Sequence, residues 1–417
     1  MAIVDEGDQF LIYKYKVHQI QFCGLKPEKP TDSSNYELEK ERVNDLIIME
    51  DYVGNTYPLI KFSIAIEQSI YYRILESKET VKVLIHLRKY YRKKGLQRKE
   101  VESVHINRKF DLILDDNDAD LAKNARKEEY PNGDTQRMNA VTVNMTFYLY
   151  SNKKVILKAQ QTEINKIWKS TTPSHVLTFL LGKLGVGKHV LVSKIDNGKS
   201  YAPLIIPKMT LLEALSYVDS YYGYHKTGTL TFFGIDRSYV LCYGKNSGAF
   251  EKKEQKTVNV LVPRVGSSIT DSICSLRKKK NKDAIYVLAD PLSFKPLTPQ
   301  TSSEALTADG VTTFDNDKMS TSGSGSAAYI QESENPYISQ VYDAQLKSEE
   351  MGITCTFRDC DEVHFTPNKM YNFIFEDTEY TKKYHAKYFM ISKTTTYVKD
   401  GKDLTVTIEG EFRKLLT

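Results

Sequence analysis

The first 160 residues alternate apolar and polar side chains with a period of two, and no other feature of the chain constrains its fold as strongly. Ile60, Phe62, Ile64 and Ile66 alternate with Lys61, Ser63, Ala65 and Glu67. The same pattern recurs in Val81, Val83, Ile85 and Leu87, in Phe110, Leu112 and Leu114, and in Val141, Val143, Met145, Phe147 and Leu149. Successive side chains of a strand point to opposite faces, so this period marks strands with one buried and one solvated face. Such strands suit antiparallel sheets, because the buried runs of parallel sheets are apolar on both faces. Between the first two sets, "QSIYYRILESK" gathers Ile70, Tyr71, Ile74 and Leu75 into a helical stripe. Residues 1–160 are therefore expected to form an antiparallel β domain carrying one helix.

Residues 161–255 read as mixed α/β. Thr172 and Pro173 look like an N-cap and a first-turn proline ahead of Val176, Phe179, Leu180 and Leu184 at helical spacing. In "KMTLLEALSYVDSYYGYHKTG", Thr210 and Glu213 match a capping box, Leu211, Leu215, Val218 and Tyr222 share a face, and Gly223 is placed to end the helix. "TLTFF" and "SYVLCY" follow as strands of a hairpin joined through Gly234, Ile235, Asp236 and Arg237.

Residues 256–417 open with "TVNVLVPRVG" and then become polar. Near 300–327, "ALTADGVTTFDNDKMSTSGSGSAAY" offers little to bury and reads as a long Ser/Thr/Gly-rich loop, which around Ser320–Ser326 could order only in an assembly. Strands return at the end. Asp400 and Gly401 suggest a two-residue hairpin turn, and Leu404, Val406, Ile408 and Phe412 mark the inward face of the last strand.

Few motifs point to chemistry. Gly182, Lys183, Leu184, Gly185, Val186, Gly187, Lys188 and His189 read G-x-x-x-x-G-K-H, a phosphate loop whose final Ser or Thr is replaced by histidine. Imidazole suits Mg²⁺ poorly, and here a helix precedes the glycines while the strand-like Val190, Leu191, Val192 and Ile195 follow them, the reverse of a nucleotide-binding loop. Residues 182–189 therefore read as a helix cap and turn, with a nucleotide-binding enzyme centred on Lys188 as the alternative. Asp116, Asp118 and Asp120 have the first spacings of a calcium loop, but Leu121 and Lys127 stand where glycine and glutamate are needed. Cys355 and Cys360 lack the second pair of a zinc site. Asp219 and Asp236, near the aromatic hairpin, read as surface or helix-end carboxylates. Eight histidines are scattered, and no nucleophile elbow, His-Glu-x-x-His pair or Cys-His motif is present. No catalytic, cofactor-binding or metal-ligating residue is singled out, no cofactor is implied, and no reaction is indicated.

Basic clusters occur at Arg88, Lys89, Arg92, Lys93 and Lys94 around Tyr90 and Tyr91, and at Lys278, Lys279 and Lys280. They suit either exposed loops and a hairpin tip, or a phosphate backbone with bases stacked on the rings, so a nucleic-acid-binding module is a second alternative. The net charge of +5 over 417 residues makes no general case for nucleic acid. Five cysteines, an odd and small number, point away from a disulfide framework. The start "MAIVDEGDQF" is acidic where a signal peptide is basic, and no apolar run nears about 18 residues, so no membrane span is expected.

From "IDNGKSYAPLIIPKMTLLEALSYVDSYYGYHKTG" through the aromatic hairpin with "IDRSYVL", the chain resembles the central baseplate hub proteins of contractile-tailed bacteriophages. "FTPNKMYNFIFED" and "YHAKYFMISKTTTYVKDGKDLTVTIEG" are similar to that family's closing strands, and "DYVGNTYPLIKFSIAI" to the tube-type domain such hubs share with tail-tube and type VI secretion proteins. The resemblance implies a mainly β (α+β) chain: tube-like antiparallel β-barrel or sandwich domains at 1–160 and 256–417, and a mixed α/β middle domain at 161–255. It also implies a non-enzymatic homotrimer in the virion, assembled in the host cytoplasm. That trimer would form a pseudo-sixfold ring between the tail tube above and the central spike below, touch other baseplate proteins at its periphery, and enclose the channel through which DNA passes. No appended lysozyme or peptidase module is recognised.

Overall fold

The computed structural model describes residues 9–27, 29–53, 57–77, 81–93, 103–113, 142–185, 190–191, 194–235, 240–245, 257–265, 275–277, 285–297, 302–307, 310–315, 320–323, 337, 352–376, 379 and 381–415. The four alternating segments are strands, and two strands that the alternation did not single out, Gln9–Cys23 and Val43–Asp51, join them. In chain order they are β1 (Gln9–Cys23), β2 (Val43–Asp51), β3 (Leu59–Glu67), β4 (Lys82–Lys93), β5 (Ser103–Ile113) and β6 (Thr142–Tyr150). Ile60, Phe62, Ile64, Ile66, Val81, Val83, Ile85, Leu87, Phe110, Leu112, Phe147 and Leu149 are all buried, as the alternation predicts. Val143 and Met145 are only half-buried, and Leu114 and Val141 lie outside the described residues.

Two long closing strands, Lys387–Asp400 and Asp403–Lys414, complete the architecture. Lys387–Asp400 pairs with β2, and pairing then runs through β3, β6, β5 and β4 to β1. β1 meets Asp403–Lys414 where Tyr15 lies opposite Leu404, and the closing strands pair with each other. The result is a closed barrel of eight antiparallel strands, a form that leaves no free edge.

The closing hairpin also belongs to a second β lobe. Tyr388 pairs with Tyr371 of strand Tyr371–Phe375, which runs parallel to Val258–Val262, itself parallel to Ile285–Leu288. On its other side Asp403–Lys414 pairs with Gly352–Arg358. One apolar core runs through both lobes, from Ile60 and Phe147 to Val260, Phe357, Phe373 and Phe412. Phe412 sits among Tyr371, Phe373 and Phe357, with ring centroids 4.9, 5.2 and 6.1 Å away. Its ring lies over Gly410, where a Cβ would come within 2.7 Å of it, so a glycine is required there. The hairpin turn falls one residue later than expected: Asp400 pairs with Asp403, leaving Gly401 and Lys402 as the turn, with Gly401 at φ 62°. A positive φ at the first turn residue suits the strand twist, and glycine adopts it without strain.

The middle unit has a core of its own. It contains α2 (Lys153–Gln161), α3 (Pro173–Leu184) and α4 (Leu211–Tyr221), with α1 (Gln68–Leu75) belonging to the barrel region. α4 has the expected capping box at Thr210 and Glu213, and Gly223 follows it at φ 74°. α2 was not evident from the alternation. It begins where the Asn152 side chain accepts from the Val155 amide at 3.0 Å and buries Val155, Ile156 and Ala159.

Strand Thr229–Phe233 is buried along its whole length and joins the two cores. Leu230 and Phe232 enter the barrel core, while Phe233 enters the middle one with Leu215 and Val218. Alternation that would give a buried and a wet face here gives two buried faces. The Ser/Thr/Gly-rich stretch expected as a loop differs as well. Ser302–Thr307, Gly310–Asp315 and Ser320–Gly323 form a three-stranded antiparallel sheet. Its β-branched Val311, Thr312, Thr313 and Thr321 favour strand backbone even where few large apolar side chains are available.

Candidate functional site

Three inward positions of the barrel wall carry charge instead of hydrocarbon. On β5, Arg108 takes the place that Phe110 and Leu112 fill further along; on β2, Glu50 follows Leu46 and Ile48; on the closing strand, Lys393 precedes Thr395 and Tyr397. These residues border a cleft of about 430 Å³ between the barrel, the tip of the hairpin at Phe232–Ile235, and the segment Glu362–Asn368.

Each charge is matched. Arg108 Nη2 donates to both oxygens of Glu362 at 3.0 Å, and Nη1 donates to the Tyr397 hydroxyl at 3.3 Å. The Tyr397 hydroxyl donates in turn to Glu362. The Tyr15 hydroxyl accepts from the Glu362 amide at 3.4 Å, and its ring meets that of Tyr397 edge-on at 5.3 Å. Lys89 donates to both Asp361 oxygens at 2.8 and 2.9 Å, while Asp361 also accepts from the Val363 amide at 3.1 Å. Lys393 lies 2.7 Å from Glu50 and donates to the Phe365 carbonyl at 3.0 Å.

Burial alone would raise the Glu362 pKa, but Arg108, the Tyr397 hydrogen bond and Lys393 outweigh it and hold the carboxyl below its ordinary value. Burial, and then the Glu362 charge, push the Tyr15 and Tyr397 hydroxyls well up. Lys369, which donates to the Val363 carbonyl at 2.6 Å, is brought down by burial to about 8. The arrangement pins the segment Asp361–Lys369 to the barrel wall, and removing one partner would strand a buried charge.

The sequence-derived candidates lie elsewhere. Gly182 is inside α3, and Gly185 ends it at φ 68°, its amide donating to the Gly182 carbonyl at 3.1 Å. Thr172 caps the other end ahead of Pro173. Val190–Leu191 then pairs parallel with Val240–Gly244, so the order is helix, turn, strand. The glycines thus sit at a helix C-terminus, where carbonyls face outward and repel phosphate. Gly187, Lys188 and His189 lie outside the described residues, as do Asp116, Asp118, Asp120, Asp236 and Lys278–Lys280.

The first basic cluster is not confined to a hairpin tip. Arg88, Lys89 and Tyr90 lie within β4, Tyr90 is buried, and Lys16 Nζ stands 4.7 Å from its ring centre. Lys94 lies outside the described residues. Asp219 is at a helix end as expected but faces inward, accepting from the Tyr224 amide at 3.1 Å and the Thr229 hydroxyl at 2.9 Å, and burial raises its pKa. Cys355 and Cys360 are buried free thiols.

Residues 17–284, well over half of the chain, match the family described as Bacteriophage PBS1 gene 109 protein. The chain belongs to that family. No curated protein matches it. Among solved structures, this gene 109 family member is similar to the tail protein from Neisseria meningitidis MC58, at 11% identity over 97% of each chain with a TM-score of 0.45. It is also similar to the 43 kDa tail protein of prophage MuSo2 from Shewanella oneidensis, at 7% identity over 97% of this chain and 99% of that one, TM-score 0.41. A third likeness is to the E. coli c3393 protein, a type VI secretion component described as structurally similar to T4 tail proteins gp27 and gp5, at 8% identity over 90% and 74%, TM-score 0.39. The phage affiliation expected from the sequence is met by the gene 109 family match, and the mainly β class by the fold.

Proposed function

We propose that this protein is a structural component of a phage tail, a homotrimeric baseplate hub. It joins the sixfold tail tube above to the threefold spike below, touches other baseplate proteins at its periphery, and surrounds the channel through which DNA leaves the virion. The observation that carries this reading is a closed antiparallel barrel and a second β lobe built on one shared hairpin, in a chain of a phage protein family. If 1–160, closed by the hairpin Lys387–Lys414 that it shares with the second lobe, and 256–417 act as two tube-type units, with 161–255 as an inserted α/β unit, three chains would present six β units round an axis. Closed rings reuse the same patches in each copy, so a threefold assembly of two-unit chains can meet a sixfold partner. The buried ion network fits this role, since it fixes one lobe against the other.

Native mass measured over a range of concentrations, followed by electron-microscope averages, tests the proposal. A trimer whose averages show a ring with pseudo-sixfold symmetry is expected. A monomer at every concentration, with no ring on addition of the cognate spike, would sink the trimeric hub.

A further inference from the structure

Three imidazoles meet on the barrel's outer face, away from the ion network. His86 on β4 and His105 on β5 are diagonal neighbours, His86 lying opposite Asn107 and His105 opposite Arg88. His86 Nε2 and His105 Nδ1 are 2.8 Å apart. The third ring comes from a break in β1. Its register against β4 shifts between Val17 and Gln19, so His18 is the extra residue of a bulge. That residue changes the parity of the strand: Tyr15 is buried before it, Ile20 and Phe22 after it. Bulges re-aim side chains, and this one turns His18 over the pair, with ring centroids 4.4 Å from His86 and 5.4 Å from His105.

We propose that His18, His86 and His105 form a surface site for a late first-row divalent metal ion of the Zn²⁺ class. Imidazole is the ligand such ions favour over the carboxylates and water preferred by Mg²⁺. Tetrahedral Zn²⁺ with bonds of 2.0–2.1 Å places two donor nitrogens about 3.3 Å apart, so the facing nitrogens of His86 and His105 need open by only about 0.5 Å. As they stand, these two nitrogens share a proton, and among the described residues no three metal-binding side chains are already gathered round one point. Binding moves that proton to the far nitrogen of its own ring and swings His18 inward about its side-chain bonds. Three protein ligands leave a fourth position for water, and the ion ties β1 to β4 and β5 across the bulge.

Calorimetric titration of the full chain with Zn²⁺, and with Mg²⁺ as control, tests this. One saturable Zn²⁺ site is expected, with no Mg²⁺ binding there. His18→Ala and His105→Ala should each weaken Zn²⁺ on the order of tenfold or more, since even partners behind the ligands contribute 10–100-fold. His364→Ala and His385→Ala should leave it unchanged. The three side chains are exposed or half-exposed, so metal-free melting of the variants checks that they fold. Co²⁺ in place of Zn²⁺ gives visible bands that report its ligands. Absence of saturable binding overturns the proposal, as does binding or a Co²⁺ spectrum that survives unaltered in His86→Ala/His105→Ala.

Discussion

The barrel with its second lobe and the middle α/β unit solve the same burial problem by different means. The barrel's interior mixes hydrocarbon with charge: Phe62, Phe147 and Ile60 fill one part, and Arg108, Glu362, Lys393 and Glu50 occupy another. The middle unit packs Val176, Leu177, Leu180, Leu181, Leu215 and Val218 between helices and relies on caps at Thr172 and Thr210 for its polar ends. An apolar helical core tolerates change by local repacking, whereas a buried ion network fails when one member is removed. The two regions should therefore differ in how they respond to acid and to single substitutions. The chain's single tryptophan, Trp168, lies in the middle unit with its ring 5.5 Å from that of Phe179. Its fluorescence follows that unit, while near-ultraviolet dichroism, to which Tyr224 of the middle core also contributes, follows mainly the β lobes through the buried Tyr15, Tyr371, Tyr388 and Tyr397.

The largest effect is expected from Arg108→Ala, which leaves Glu362 charged and buried. It should cost about 3–5 kcal/mol in the tyrosine-monitored transition, while the Trp168 transition moves little. Replacing both partners, as in Arg108→Met/Glu362→Leu, should recover most of that loss, because matched apolar side chains need no desolvation. If the single and double variants are equally damaged, the network is not what holds Asp361–Lys369 to the wall.

Acid sharpens the same comparison. Glu362 is held below its ordinary pKa, so the folded state binds its proton less readily than the unfolded chain. Its stabilisation is present above the ordinary carboxylate range and is lost as pH falls through the lower folded value. Asp196 in the middle unit is also lowered, chiefly by its hydrogen bond from His225, so both regions lose stability in acid. In Glu362→Gln the tyrosine transition should become less dependent on pH, with the Trp168 transition keeping its acid midpoint. Parallel changes in both signals would mean that the two units unfold as one.

Phe232 tests the seam directly. It enters the barrel core and meets Tyr52 edge-on at 4.8 Å, one residue before Phe233 enters the other core. Phe232→Ala should cost about 3 kcal/mol, the lower end for a buried phenylalanine, and separate the tyrosine and tryptophan transitions further. Closer transitions in the variant would show that the seam does not couple the units.

Four of the barrel's N-terminal strands were legible because burial in a barrel follows parity, as at Ile60, Phe62, Ile64 and Ile66, whereas Gln9–Cys23 and Val43–Asp51 were not singled out. Capping was legible at Thr210, where cap and helix are adjacent in sequence. Closure of the barrel by Lys387–Lys414 was not, because pairing between β2 and a strand more than 300 residues later leaves no local mark. The ion network lay between these cases. Arg108 in the row Ile106, Arg108, Phe110, Leu112 and Glu50 in the row Leu46, Ile48, Glu50 both break parity, a signal that a polar interior waits there. Their partners could not be named, since Glu362 sits in a short turn with no period. His18 was hidden for a related reason: an extra residue in a strand shifts the parity by which it would be recognised.

The smallest expected effect concerns the middle unit alone. The Thr210 hydroxyl accepts from the Glu213 amide at 3.2 Å, and Glu213 accepts from the Thr210 amide at 2.8 Å, so two unpaired amides at the start of α4 are satisfied reciprocally. Thr210→Ala removes half of this box and should cost about 1 kcal/mol. The loss should appear in the Trp168 transition, because α4 packs on the strand Leu204–Thr210 that pairs with Glu163–Trp168. The tyrosine transition should stay within error of the parent protein. A shift of equal size in both would contradict the division of labour between the regions, since a helix cap touching only the middle core would then be felt across the seam at Thr229–Phe233.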